Sequence, residues 1–126
     1  MNLALLITNE IRSAKNEGVL AKGILEVIRA IETKRARIVV IAEDIDLADL
    51  SRKVQILCNQ HDIPYVVSLT REKIGELTGV GVKTSFVAIV QPGLDRDRFY
   101  KFLSLVLKKD FPDYYLVAKA KAKDEE

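Results

Sequence analysis

Residues 37–42 read RIVVIA, a basic residue followed by an unbroken apolar run of four β-branched side chains and an alanine. Successive side chains of a strand point to opposite faces, so a run with no polar position has no face to give to water. A strand of this kind is expected only where other elements cover the sheet on both sides. The rest of the chain supplies those elements.

Residues 2–15 place Leu3, Leu6, Ile7 and Ile11 near helical spacing behind Asn2, a suitable cap, until Asn16, Glu17 and Gly18 break the pattern. Residues 19–22 read as a very short strand. A helix over about residues 23–34 sets Ile24, Val27, Ile28 and Ile31 on one face. After the RIVVIA strand, Asp46 is a candidate cap for a helix reaching about His61, with Leu50, Val54, Leu57 and Cys58 as its buried stripe. Residues 63–67 make the next strand, with Pro64 near its start, where a missing donor is tolerated. Thr70 opens a short helix that Gly79 ends, and residues 85–91 form a further strand. Pro92 and Gly93 turn the chain into a last amphipathic helix, residues 95–108, through Phe99, Phe102, Leu103 and Val106. Helices alternating with short strands predict an α/β protein: a three-layer α/β/α sandwich around a small, mostly buried mixed sheet of about four strands. With no repeat and no linker, residues 1–112 are expected to form a single globular domain. Residues 113–126 are expected to form a C-terminal extension ending in the charged tail AKAKAKDEE.

The residues that would carry chemistry are sparse. The one histidine, His61, stands at a predicted helix end beside Asp62, where a solvated or capping role is the ordinary one. The one cysteine, Cys58, lies in an apolar stripe, which excludes an internal disulfide and suits an inert thiol in a reducing compartment. One His and one Cys cannot make a structural zinc site, no phosphate-loop motif occurs, and Gly75, Gly79 and Gly81 follow a helix rather than a strand. Glu43, Asp44 and Asp46 fit caps and solvated charges better than a cation site. An enzyme is therefore not expected, nor a cofactor, a metal or a small-molecule substrate. No apolar run approaches the roughly 20 residues that span a bilayer, and no cleavable leader is visible, so no membrane or secretory role is expected. The net charge of +2 is too small to establish a nucleic-acid partner, and any basic surface must be local.

Four stretches, GVLAKGILEVIRAI, VVIAEDID, ILCNQHDIPYV and REKIGELTGVGV, occur in an order and spacing that resemble the kink-turn RNA-binding ribosomal protein superfamily. The resemblance covers roughly residues 18–92, and the four blocks together are specific where each alone is weak. In kink-turn binders a helix opens on glycine, any residue, asparagine, glutamate, two residues and lysine. Here Gly23, Glu26 and Arg29 stand at the glycine, glutamate and lysine positions, and Leu25 replaces the asparagine. The mouth of this helix is most like the branch of the eukaryotic-type small-subunit ribosomal protein twelve, whereas IAEDID and IPYV look more like the archaeal large-subunit branch.

The resemblance implies a structural protein of the small ribosomal subunit that binds folded ribosomal RNA, with neighbouring ribosomal proteins as partners and no homo-oligomer required. Its place would be the cytoplasmic ribosome, with room for a nucleolar assembly stage. The alternative is a kink-turn binder of the large subunit or of small nucleolar particles, and a third class is a protein–protein adaptor of the same fold. The implied RNA-binding residues are Lys22, Gly23, Leu25, Glu26 and Arg29 at the helix mouth. Asp46 in the loop after the first long strand and Arg71 nearby join them, with Val82, Lys83, Thr84 and Ser85 before the last strand. A helix N-terminus offers unpaired N–H groups and partial positive charge to a phosphate. Leu25 cannot pair a base edge as asparagine does, and an edge left unpaired there costs roughly 1–3 kcal/mol. Recognition by shape and phosphate is the better fit.

Overall fold

Five helices and four strands alternate along residues 2–107, the part of the chain that this structure, a computed structural model, describes. They are α1 (Leu3–Glu17), β1 (Val19–Lys22), α2 (Ile24–Glu32), β2 (Ile38–Ile41), α3 (Ala48–Gln60), β3 (Tyr65–Val67), α4 (Arg71–Thr78), β4 (Phe86–Gln91) and α5 (Arg96–Leu107). The expected domain limit at residue 112 and the charged tail lie outside the described residues.

The sheet is mixed and four-stranded in the order β1-β4-β2-β3, with β4 antiparallel to both neighbours and β2 parallel to β3. All four residues of β2 are fully buried, and their alternation divides the core. Ile38 and Val40, with Val87 and Ile89 of β4, pack under α1, α4 and α5 through Ile7, Ile11, Ile74, Phe99 and Phe102. Val39 and Ile41, with Phe86 and Ala88, pack under α2 and α3 through Val27, Ile31, Val54 and Cys58. Each such side chain contributes on the order of 1.5–3 kcal/mol by leaving water. The three-layer sandwich follows from a central strand that has no polar side.

Local signals set most of the boundaries. Asn2 accepts the Leu5 N–H at 3.3 Å, Thr70 accepts the Lys73 N–H at 3.1 Å, and Gly79 closes α4 in the left-handed conformation. Helix α1 runs on to Glu17 because Asn16 and Glu17 fall on its exposed side and interrupt no contact. One expected cap is corrected. Helix α3 starts after Leu47 with no side-chain cap, because the Asp46 carboxylate is engaged by Arg71 instead. His61 stands at the C-cap of α3, where its backbone N–H closes the last turn on the Leu57 and Cys58 carbonyls.

Burial shifts three titratable side chains, of which Cys58 was expected to be buried from the sequence and Glu10 and Tyr65 were not. Glu10, 3% exposed, accepts a 2.9 Å hydrogen bond from Arg98 Nε and ties α1 to α5, while burial raises its carboxyl pKa above the usual range. Cys58 is pushed up to about 12 by burial, so its thiol stays protonated. Tyr65 also rises to about 12, through burial and then through the nearby Cys58, and its hydroxyl donates to Gln55 Oε1 at 3.3 Å.

Candidate nucleic-acid interface

Strand direction decides which loops share an end. Because β1, β2 and β3 all run opposite to β4, the segments after β1, β2 and β3 and the segment before β4 emerge together. Those four segments carry every site residue expected from the sequence except Arg29, which lies in the second turn of α2. Open sheets with helices on both faces present ligand sites at such an end.

Backbone hydrogen bonds stitch the four segments into one surface. The Gly23 N–H donates to the Phe86 carbonyl at 3.0 Å, Ala42 N–H to Ser85 at 2.8 Å, and Glu43 N–H to Leu69 at 2.9 Å. Arg71 is the junction. Its N–H donates to Asp44 Oδ1 at 2.8 Å, its guanidinium reaches Asp46 at 3.2 Å and lies 3.7 Å from Asp44, and its carbonyl accepts the Thr84 N–H at 3.0 Å. Leu69, one residue before the Thr70 cap, holds a left-handed φ of 70°, which costs a non-glycine residue roughly 1–2 kcal/mol. The surrounding bonds hold that strain at the centre of the surface.

At the mouth of α2, Gly23 has a φ of 85°, and a side chain there would project into open space. The glycine is required by its backbone angle, and no neighbour crowds it. Glu26 stands at the third position of the helix but cannot complete a capping box, since the Gly23 N–H is already given to Phe86. Glu26 and Arg29 are both exposed, and although three residues apart they form no ion pair with each other. Among the described residues, the side chains of Lys22, Glu26 and Arg29 engage no hydrogen-bond or ion-pair partner. Leu25 is 81% exposed between them.

The loop before β4 is shaped from beneath. Gly75 of α4 lies directly against the Val82 carbonyl, where a side chain could not fit. Thr84 is turned inward: it is buried, and its hydroxyl donates to the Val82 carbonyl at 3.1 Å. Thr84 was expected as an RNA contact, and in the structure its hydroxyl is used within the loop. Lys83 and Val82 are exposed, Ser85 is half-buried, and Gly81 takes a φ of 80°. Asp46 and Arg71, expected as RNA contacts, are engaged with each other, which makes them a brace between two loops. The sequence placed the loop 44–47 on this surface but singled out only Asp46 in it, leaving the exposed Leu47 and the Arg71 acceptor Asp44 without a role, and it missed Gly75 and Leu69. An apolar residue at the start of a helix was the available signal for Leu47, whereas nothing in the local sequence reveals the partners of the other three.

Charge at this end is mixed. Lys22, Arg29, Arg71 and Lys83 stand with Glu26, Glu43, Asp44, Asp46 and Asp49, so no broad positive field forms. Glu72 and Glu76 line a groove on the α4 side of the loop together with Lys83, so charge there is mixed as well. Lys22 and Arg29 stand at the α2 mouth, and Lys83 stands on the α4 side of the loop. That arrangement suits a few placed contacts to a folded RNA.

Two comparisons bear on these features. A family model described as the ribosomal protein L7Ae/L30e/S12e/Gadd45 family matches residues 6–98. The solved structure of the Giardia lamblia 15.5kD RNA binding protein has the same fold, with a TM-score of 0.71 and 21% sequence identity. That match covers 86% of this chain and 88% of the other.

Proposed function

The chain belongs to the ribosomal protein L7Ae/L30e/S12e/Gadd45 family, whose fold is that of RNA-binding structural proteins, and we propose that it serves as a structural ribosomal protein of the small subunit. In this reading it holds folded ribosomal RNA through the mouth of α2 and the loop before β4. Lys22 and Lys83 contact phosphates, Arg29 donates to a base edge or phosphate, and Glu26 accepts from an exposed base amine. Gly23 lets the RNA backbone approach the first turn, whose N–H groups point outward. Val82, Leu25 and Leu47 offer apolar surface to an unstacked base. Arg71, Asp46 and Thr84 shape the loops that carry these groups. No catalytic role, cofactor or small-molecule substrate forms part of this reading.

The observation that carries it is the set of polar side chains, Lys22, Glu26 and Arg29, that have no partner among the described residues, at the mouth of a helix joined by backbone hydrogen bonds to the neighbouring loops. A pair between Glu26 and Arg29 would gain only about 0.2–0.5 kcal/mol, so both groups can be given to a ligand at little cost. Leu25 favours the small-subunit branch over a kink-turn binder of the large subunit or small nucleolar particles, because an exposed leucine cannot satisfy a guanine edge. The test compares binding of the purified chain to a free kink-turn hairpin and to intact small-subunit ribosomal RNA. Tighter binding to small-subunit RNA, weakened at least tenfold when Lys22 and Arg29 are changed to glutamine, is expected. Nanomolar binding to the free hairpin would move the protein to the alternative branch.

A further inference from the structure

At the opposite end of the sheet, where β2 and β3 begin and β4 finishes, Lys34, Arg35, Arg37, Pro64 and Tyr100 line an open groove of about 770 Å³. The three cations fall within four residues of sequence, on a backbone held by hydrogen bonds. Lys34 ends α2 at a φ of 56°, its N–H bonded to the Ile31 carbonyl at 3.0 Å and the following Arg35 N–H to Ala30 at 2.9 Å. Arg35 and Arg37 are both exposed on either side of Ala36, which is 4% exposed, and both line the groove. Arg35 Nε donates to Thr33 Oγ1 at 3.0 Å, which fixes the root of the guanidinium. Among the described residues, the side chains of Lys34 and Arg37 engage no hydrogen-bond or ion-pair partner. Tyr100, 44% exposed, is held edge-on by Phe99 with ring centres 5.4 Å apart.

A structural explanation covers part of this. Cations at the end of a helix offset its dipole, which accounts for Lys34 and Arg35. Arg37 lies beyond the helix, and the dipole gives no reason for an exposed ring beside the three charges. Asp62 is the acid lining the groove among the described residues, with Glu32 one turn back on α2. The balance is therefore positive here and mixed at the α2 mouth, so this far end carries a local basic surface despite a net charge of only +2.

We propose that this groove is a second RNA-contacting surface, separate from the α2 mouth, which takes a short unpaired stretch of RNA. Lys34, Arg35 and Arg37 contact its phosphates, and an unstacked base lies on Tyr100. The four residues of β2 set the two surfaces roughly 13 Å apart, so two RNA segments can be held at once. Two arginines lining one groove suit phosphate oxygens. The floor of the groove is apolar, through Val19, Ile63, Pro64, Val90 and Leu103, and three cations stand on its rim, a combination that suits a base with its phosphates and leaves a peptide as the outcome the decapeptide arm detects. The inference rests on the reading of the chain as an RNA binder but uses none of the residues at the mouth.

Fluorescence anisotropy of the full chain with a labelled twelve-nucleotide uridine RNA, and separately with labelled small-subunit ribosomal RNA, tests it. The uridine RNA should bind, and should still bind when the mouth is saturated with unlabelled ribosomal RNA fragments. Changing Lys34→Asn, Arg35→Gln and Arg37→Gln together should weaken uridine binding at least tenfold and lower its salt slope by about two units. Tyr100→Ala should weaken it several-fold at unchanged slope. The far-end triple variant should keep its melting temperature and its affinity for small-subunit RNA within about twofold. Changing Lys22 and Arg29 to glutamine should leave uridine binding unchanged. If uridine binding responds to the far-end residues while small-subunit RNA ignores the mouth residues, this inference stands and the proposed function falls. Absence of uridine binding, or binding indifferent to the far-end residues, overturns the inference. Displacement of the uridine RNA by an acidic decapeptide of equal charge at equal concentration would also overturn it, and would assign the groove to a protein partner.

Discussion

Gly75→Ala sets helix propensity against the packing of the loop before β4. Alanine in the middle of a helix is favoured over glycine by about 1 kcal/mol, so propensity alone predicts stabilisation. In the structure the new methyl would overlap the Val82 carbonyl, which is backbone and cannot rotate away. Residues 81–85 must then lift. Lifting them strains the Thr84 hydroxyl bond to Val82 and the Thr84 N–H bond to the Arg71 carbonyl, and Thr84 is buried without water to replace either. Overpacking of this kind costs about 1–3 kcal/mol, and a weakened buried hydrogen bond adds up to about 1 kcal/mol. Sterics therefore win, with a net loss of about 1–2 kcal/mol, equivalent to a fall of roughly 5–10 °C in melting temperature for a domain of this size. Thermal unfolding by circular dichroism reads the first effect. Because the same loop carries Val82 and Lys83, affinity for small-subunit ribosomal RNA should fall several-fold in the same variant. A variant as stable as the parent, with unchanged RNA affinity, would refute the placement of Val82 over Gly75.

Leu25→Asn should leave melting within about 0.5 kcal/mol, since position 25 is exposed, yet create measurable affinity for a free kink-turn hairpin by completing the glycine–asparagine–glutamate order. Unchanged hairpin binding by titration would count against Glu26 and Arg29 as base-reading groups. The raised pKa of Glu10 means that its contribution to stability is full below the ordinary carboxyl pKa and is lost as pH rises through the folded value. Glu10→Gln should therefore flatten the melting temperature as pH rises above the ordinary carboxyl range, and an unaltered pH profile would exclude Glu10 as its source. Asp44→Ala should speed amide exchange at Arg71 by severalfold, because it removes the acceptor of that N–H, while Asp46→Ala, which loses only an exposed ion pair, should leave that exchange unchanged. Equal effects from both would remove the distinction between the two acids.

Much of the fold was readable along the chain because burial is written with short periods. The β-branched run at residues 38–41 demanded cover on two sides, and the 3.6-residue spacing in α1, α2 and α5 supplied covering faces. Caps and stops such as Asn2, Thr70 and Gly79 act within a turn of themselves, so they too were legible. Asp46 was misread as a cap because an acid before a helix looks the same whether it caps that helix or reaches another element.

By itself, then, the sequence determined the elements, their amphipathic faces, the layered architecture and the stretch at the mouth of α2. Each of those depends on residues within about one turn or one strand of one another. The tertiary structure alone decided the rest: that β4 inserts between β1 and β2, that four connecting segments therefore share one end, and that Arg71 meets Asp44 and Asp46 across 25 or more residues. It also decided that Gly75 makes room for Val82 and that Thr84 points inward. These outcomes depend on strand order and direction, which place distant residues side by side. A periodic pattern specifies which side of an element is buried and leaves its neighbour open.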